Sequence, residues 1–263
     1  MWRMPRFDTA AFHQRLATAG IGRALEYRSV VETTMTVAAG LARSGACHGT
    51  LVLAEQQTAG RGRRGRTFHS PPEGNLYFTL ILRTAPETHR RLPVALPLAV
   101  AAACRAEGCD ALIKWPNDIW AKGRKLCGML IDAESAVGEG TALALAGIGV
   151  NVNGDPGTVP ELRDIATSLT RELARPVSRE QLLARICLEI ENALAAAGED
   201  LLAAYRKLSL VLGRDVLLSY PDGEARTACA EAIDSDGALL VRYPDGTRET
   251  VTAADVTLRP AGG

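Results

Sequence analysis

Gln57-Thr58-Ala59-Gly60-Arg61-Gly62-Arg63-Arg64-Gly65-Arg66 carries four arginines and three glycines in its last seven residues, between two apolar, strand-like segments. Arginine presents a planar, permanently charged fork that suits phosphate and carboxylate. Glycine lets the backbone adopt positive φ and come close to a ligand. Together they describe a mobile loop that closes over an anion. It is not the phosphate loop of nucleotide hydrolases, because no Gly-Lys-Ser/Thr ending follows. A basic run can also be a nucleic-acid patch or a localisation signal. The chain, however, balances 30 Lys+Arg against 30 Asp+Glu. No general basic surface accompanies the run, so the arginines are a local device.

The segments on either side set the loop in a sheet. Thr50 to Glu55 and Leu76 to Leu82 read as strands entering and leaving it. Upstream, Phe7 to Ala19 reads as a helix, Ala24 to Val31 as a strand, and Thr33 to Arg43 as a helix ended by Gly45. Downstream, Leu92 to Glu107 reads as a buried, alanine-rich helix. Ala111 to Lys114 begins another strand. Lys125 to Glu134 and Thr141 to Val152 read as paired strands around the turn Val137 to Gly140. Pro156 to Thr170 is a loop with short helical pieces, and Ser178 to Leu210 a long helical region with Ser178 and Gln181 as a capping box.

After Gly213 the texture changes. Asp222-Gly223, Asp236-Gly237 and Asp245-Gly246 punctuate short segments, and Asp-Gly between such segments is a hairpin signal. The chain therefore divides into residues 1–212 and a small antiparallel β-barrel at 213–263. The larger part is α+β, a mixed sheet flanked by helices.

The 263 residues, 47% of them hydrophobic, suffice for such a pair of folding units. The six cysteines form no Cys-x-x-Cys pair and have no His cluster near them, so neither a zinc motif nor a disulfide scaffold is indicated. Met1 to Ala19 carries charges throughout, and there is no membrane-length apolar run. These features place the protein in the cytoplasm.

Three further clusters lie in order: Lys114-Trp115-Pro116-Asn117-Asp118, Arg124-Lys125-Leu126-Cys127-Gly128-Met129-Leu130, and Gly147-Ile148-Gly149-Val150-Asn151-Val152-Asn153. Each alone has a structural explanation: a turn, a solvated edge lysine and a tightly packed strand. In sequence with the arginine loop, Ala166-Thr167-Ser168-Leu169 and the C-terminal hairpins, they resemble the biotin protein ligase family over nearly the whole chain, from about Arg23 to Leu258. The resemblance implies a catalytic domain like that of class II synthetases and a two-step reaction. Biotin and ATP give biotinyl-adenylate and pyrophosphate, and a lysine of a biotin carboxyl carrier domain then takes the biotin.

By motif position, the resemblance assigns Arg61, Arg63 and Arg66 to the biotin carboxylate, the phosphates and the adenylate. Lys125 goes to the α-phosphate and carboxylate oxygens. Fixed cations suit a step that brings two anions together. Thr33, Thr34 and Gln57 would contact the ureido ring, with Gly60 and Gly128 permitting backbone contact. Asn151 falls on the adenine side, with Val150 in the same wall. Trp115 packs either beneath the pocket or in the core. Magnesium would balance the triphosphate, and no residue is assigned as its ligand; Asp118 would help the metal or orient the acceptor lysine, unless it is a turn carboxylate.

Thr33-Thr34-Met35 stands where the family often has Ser-Thr-Asn, so the amide of the third position is lost. Thr67-Phe68-His69 stands where a Trp is common, and Phe68 can cover the pocket without an indole donor. About twenty residues precede the first catalytic strand, too few for the winged helix of some members, which implies a ligase without repressor function or nucleic-acid binding. A monomer and a homodimer through a sheet edge both stay open. So do three other readings: a lipoate or octanoate ligase on a related fold, a nucleic-acid module, and an inactive homologue.

Overall fold

Apolar residues run nearly unbroken along the central strands, and since successive side chains point to opposite faces, the sheet they build is buried on both. The computed structural model describes residues 5–72, 74–134, 140–220, 223–252 and 254–258. Seven strands, β1 (Leu25–Val31), β2 (Thr50–Gln57), β3 (Leu76–Thr84), β4 (Leu112–Lys114), β5 (Asp118–Ala121), β6 (Arg124–Glu134) and β7 (Ala142–Val150), form one mixed sheet in the order β1-β2-β3-β7-β6-β5-β4. Only β1 and β2 run parallel; the other neighbours are antiparallel.

Leu51, Leu53, Phe78, Leu80, Leu82, Ala144, Ala146 and Ile148 point into the main core on one face. That face is covered by α1 (Thr9–Arg15), α4 (Leu92–Ala106), α6 (Arg179–Ala195) and α7 (Gly198–Leu208). Val52, Ile81, Leu143 and Leu145 point the other way, onto Ala38 and Ala42 of α2 (Thr34–Arg43). Two short helices, α3 (Pro86–Arg90) and α5 (Leu169–Leu173), complete this part. Among the described residues no helix is long and apolar enough to cross a membrane.

Several local expectations are corrected. The first helix is shorter than Phe7 to Ala19, because the Phe7 N–H donates to the buried Glu55 carboxylate at 2.6 Å and Asp8 caps the helix through Ala11 N–H. The long helix after Ser178 breaks at Ala196-Ala197, both extended, so that α7 can turn back and bury Leu201 and Tyr205. Packing there overrides the helix preference of alanine. Ser178 accepts from the Gln181 N–H as expected, but the Gln181 side chain reaches Glu107 instead of closing the box. Strand β5 and helix α3 had no signal strong enough to be read. Lys122 (φ 44°) and Gly123 (φ 78°) join β5 to β6 in a two-residue turn, whose right-handed twist demands positive φ at both positions.

The C-terminal strands β8 (Asp215–Ser219), β9 (Ala225–Ile233), β10 (Leu239–Arg242), β11 (Arg248–Val251) and β12 (Asp255–Leu258) are antiparallel in the order β11-β10-β9-β8-β12. They form an open sheet where a closed barrel was expected. Its apolar face, with Val216, Leu218, Ala230 and Val241, joins the same core as α4, so the rest of the molecule covers what closure would have covered. Gly237 and Gly246, at φ 85° and 87°, each end a three-residue hairpin loop. Asp222 and the turn residues 137–139 lie outside the described residues.

Candidate active site

A cavity of about 570 Å³ opens between the sheet, the arginine loop and the C-terminal strands. Its floor is a chain of hydrogen bonds, part-buried except for the buried link between Thr79 and Thr34. Thr33 caps α2 through the Met35 N–H, at 3.3 Å. This sets Thr34 in the first turn, where its N–H and hydroxyl both donate to Gln57 Oε1, at 2.9 and 3.2 Å. Thr79 donates its hydroxyl to Thr34 (2.8 Å), Gln57 Nε2 donates to Ser70 (3.0 Å), and Ser70 donates to the Phe68 carbonyl (3.0 Å). Such a satisfied network is rigid and presents fixed donors and acceptors in an apolar setting.

Two glycines make room above this floor. Gly128 and Gly149 are register partners on β6 and β7. A Cβ on Gly149 would lie 2.4 Å from the Phe68 ring, and one on Gly128 would lie 2.9 Å from Lys125 Nζ and 3.1 Å from that ring. The aromatic ring therefore sits in a slot only glycine provides, braced edge-on by Tyr77. Met35 packs on Gly147, whose Cβ would fall 2.7 Å from its sulfur. Gly60 does not line the cavity. It lies behind it, where a Cβ would meet the Phe68 carbonyl at 2.5 Å, so it lets the two ends of the loop touch.

On the next wall, Lys125 Nζ meets Asp118 Oδ1 at 2.7 Å. A bulge in the β5–β6 pairing lies beside Lys125. The lysine backbone is clamped from the far side, its N–H donating to Ile165 O and its carbonyl accepting from Thr167 N–H, both at 2.9 Å. Asn151 also lines the cavity, and its side chain donates to Thr167 O at 3.0 Å, so it too fastens this segment. Val150 is fully buried in the core and is not in the wall. Trp115 is both core and wall: it is 2% exposed, and its indole N–H donates to Gly237 O at 2.8 Å, which ties the sheet to the C-terminal strands.

The arginine loop lies across the mouth. Arg61 bridges to Thr67 through the backbone, and its guanidinium has no ion pair or hydrogen bond among the described residues. Arg63 is half-buried and donates to Asn117 Oδ1 at 3.4 Å; burial pulls its pKa down from the ordinary arginine value. Arg64, at φ 56°, pairs with Asp255 at 3.2 Å and donates to Ser219 O, and Arg66 pairs with the same Asp255 oxygen. A carboxylate of the C-terminal sheet thus supplies an anion to a loop whose composition called for one. Asp255, Ser219, Val256 and Thr257 are cavity-lining residues that sequence reasoning missed, and so is Lys114; Ser70, also missed, supports the floor from behind through Gln57. Lys114 stood inside a quoted motif. Asp255 had no local signal.

Cys127 is buried in the wall, and burial pushes its thiol well above the usual range, so it is a protonated apolar contact. No group of three or more His, Cys, Asp or Glu that could hold a metal gathers among the described residues.

Known proteins match this arrangement at three levels. The Biotin/lipoate A/B protein ligase family matches residues 27–153, and the biotin protein ligase C terminal domain matches residues 211–259. A biotin–[acetyl-CoA-carboxylase] ligase from Mycobacterium tuberculosis is 31% identical over 96% of this chain and 96% of its own. The chain belongs to the biotin protein ligase family. A second member, the bifunctional ligase/repressor BirA of Bacillus subtilis, is 32% identical over 92% of this chain and 76% of its own. Among solved structures, the biotin protein ligase from Aquifex aeolicus in complex with biotin and ATP superposes with a TM-score of 0.74 at 26% identity, covering 91% of this chain and all of that one. The family's mixed sheet and separate C-terminal strands are both present here.

Proposed function

We propose that the protein activates biotin with ATP, releases pyrophosphate, and transfers biotin from biotinyl-adenylate to a lysine of a biotin carboxyl carrier domain. One observation carries this reading. A single cavity joins a satisfied polar floor, Thr34 and Gln57, to a concentration of cations, Lys125 with Arg61, Arg63 and Arg66. The floor suits a neutral ring with donors and acceptors, and the cations suit a carboxylate meeting a phosphate.

In this reading Thr33, Thr34 and Gln57 hold the ureido ring, and Gly128 opens the floor to it. Lys125 and Arg61 stabilise the negative charge that concentrates as a carboxylate oxygen attacks the α-phosphorus. Arg63 and Arg66 hold phosphates, and Asn151 stands on the adenine side. The mixed anhydride then yields to a carrier amine, which Asp118 orients. Positioning and charge supply the rate without a covalent enzyme intermediate. Magnesium would come with the triphosphate. It keeps most of its waters and needs one or two carboxylates at most, which the donor set here, Asp118 and Asp255, fits.

Residues 1–212 form the catalytic unit in this proposal and 213–263 the small C-terminal unit. The location is the cytoplasm, a compartment that supplies ATP, and cell fractionation tests it. The outer edge of β6 beyond Met129 has no strand partner among the described residues, and its pairing with a second copy would give a homodimer. Sedimentation at two concentrations tests that. Biotin-dependent exchange of labelled pyrophosphate into ATP, with lipoate in parallel, tests the function. Exchange with biotin alone supports it; exchange with lipoate alone changes the substrate; exchange with neither overturns it.

A further inference from the structure

Lys114 ends β4 directly across from Asp118, yet its ammonium has no carboxylate within ion-pair distance among the described residues. Asp118 is taken by Lys125 at 2.7 Å. Lys114 lies instead with Nζ 4.2 Å from the centre of the Trp120 ring, and it lines the cavity half-buried. The Trp120 indole N–H is itself buried with no hydrogen-bond partner among the described residues. The ring is therefore placed for its face and not for its donor, as a platform under the lysine.

A half-buried ammonium held only by a ring face is under-compensated, because burial disfavours a charge unless a counter-charge meets it. Burial accordingly draws the Lys114 pKa below the ordinary lysine value. The charged groups around it are Asp118, Lys125, Asp255 and Arg66. That is the side of the cavity bounded by the arginine loop and the C-terminal strands, away from the Thr34–Gln57 floor. The missing counter-charge is thus expected from the ligand, at its most anionic end.

We infer that Lys114 is a phosphate-binding residue that holds the β- and γ-phosphates of ATP and then the departing pyrophosphate. The inference rests on the adenylation reading above. In that step a biotin carboxylate oxygen forms the bond to the α-phosphorus, and the bridging oxygen leaves with its bonding pair on pyrophosphate. Lys114 exchanges no proton; its fixed positive charge faces the leaving group as that group gains charge.

The test is pyrophosphate exchange with Lys114→Met, which keeps the aliphatic stem over Trp120, and with Lys114→Arg, which keeps the charge. Loss of one charge-assisted contact to phosphate should raise KM for both ATP and pyrophosphate about tenfold in Lys114→Met, with biotin affinity within about twofold of wild type. Lys114→Arg should recover most of the loss. Unchanged KM for ATP and pyrophosphate in a folded Lys114→Met overturns the assignment. A second measurement needs no variant: trace acetylation of the wild-type protein with acetic anhydride, read at Lys114 by mass spectrometry. Magnesium-ATP or pyrophosphate should protect Lys114 and biotin alone should not, and absence of protection by both phosphates also overturns it. Wild-type protein that fails to exchange with biotin would sink the ligase reading instead, while the labelling still judges Lys114.

Discussion

In the cavity floor, Thr34, Gln57, Ser70 and Thr79 satisfy one another through hydrogen bonds, whereas in the arginine loop Arg64 and Arg66 share one carboxylate at the surface and Arg61 meets none. The floor is complete without a ligand. The loop is provisionally satisfied, by a contact that an incoming anion can replace. A preformed floor loses little entropy on binding and so favours selectivity. Exposed arginines with an exchangeable partner favour capture and release of charge. The same cavity therefore separates recognition from charge handling by how firmly each side is held.

The firmest support of the floor lies two residues before Gln57. Glu55 on β2 is buried and pairs with buried Arg179 at 2.6 Å, while also accepting from Phe7 N–H and Tyr27 OH. Glu55→Ala leaves that arginine uncompensated and should cost about 3–5 kcal/mol, read by urea unfolding. A loss below about 1 kcal/mol would show that the floor does not depend on this pair. The pair also sets a pH dependence. Burial alone would raise the Glu55 pKa, but Arg179, Phe7 and Tyr27 outweigh it and hold the carboxyl below its ordinary 4.5. The stabilisation is then complete above pH 4.5 and is lost as pH falls through the lower, folded value. The acid slope of stability should be shallower in Glu55→Gln than in wild type.

Between floor and loop stands Lys125, whose charge is needed only when carboxylate and phosphate meet. Lys125→Ala should lower biotin-dependent pyrophosphate exchange about a hundredfold to a thousandfold, with thermal stability nearly unchanged. Normal exchange in that variant would remove Lys125 from the chemistry. Thr34→Val probes the floor itself. It keeps the shape but leaves the Thr79 hydroxyl without its acceptor and removes one donor to Gln57. About 1–3 kcal/mol should be lost in stability, and biotin affinity should fall while ATP affinity holds. Equal losses for the two ligands would erase the division between floor and loop.

Much of this arrangement was readable because it is local. The strands that carry Gly128 and Gly149 are legible as apolar runs paired across a turn, and the helix expected from Thr33 begins one residue later, with Thr33 as its cap. The motif residues Lys125, Asp118, Gln57 and Arg63 do line one cavity. What was not legible is long-range or depends on packing. Asp255 meets Arg66 across 189 residues of chain, and nothing in its own segment marks it. Lys114 reads as the end of a strand beside a turn, because β5, which follows Pro116 and Asn117 and pairs back onto β4, is only four residues long and carries no signal of its own. Gly60 was expected at the ligand, but a glycine's motif position does not tell whether a ligand or the chain's own carbonyl comes close. Here the carbonyl is that of Phe68.

The smallest effect expected is also the sharpest test of the contrast. Asp255→Asn keeps the size of the side chain and removes the charge that Arg64 and Arg66 share. Arg66 is 68% exposed, so stability should change by only about 0–1 kcal/mol. The loop should respond much more. Trypsin should cut between Arg61 and Arg66 several-fold faster in the variant than in wild type, and ATP with biotin should abolish the difference, since phosphate then replaces the lost carboxylate. If cleavage is the same in both, the loop is held by its own turn, in which Gly62 N–H donates to Arg66 O at 2.7 Å and Arg66 N–H to Arg63 O at 3.2 Å. The loop would then be preformed like the floor, and charge capture would rest on Arg61, Arg63 and the two lysines without help from the C-terminal sheet.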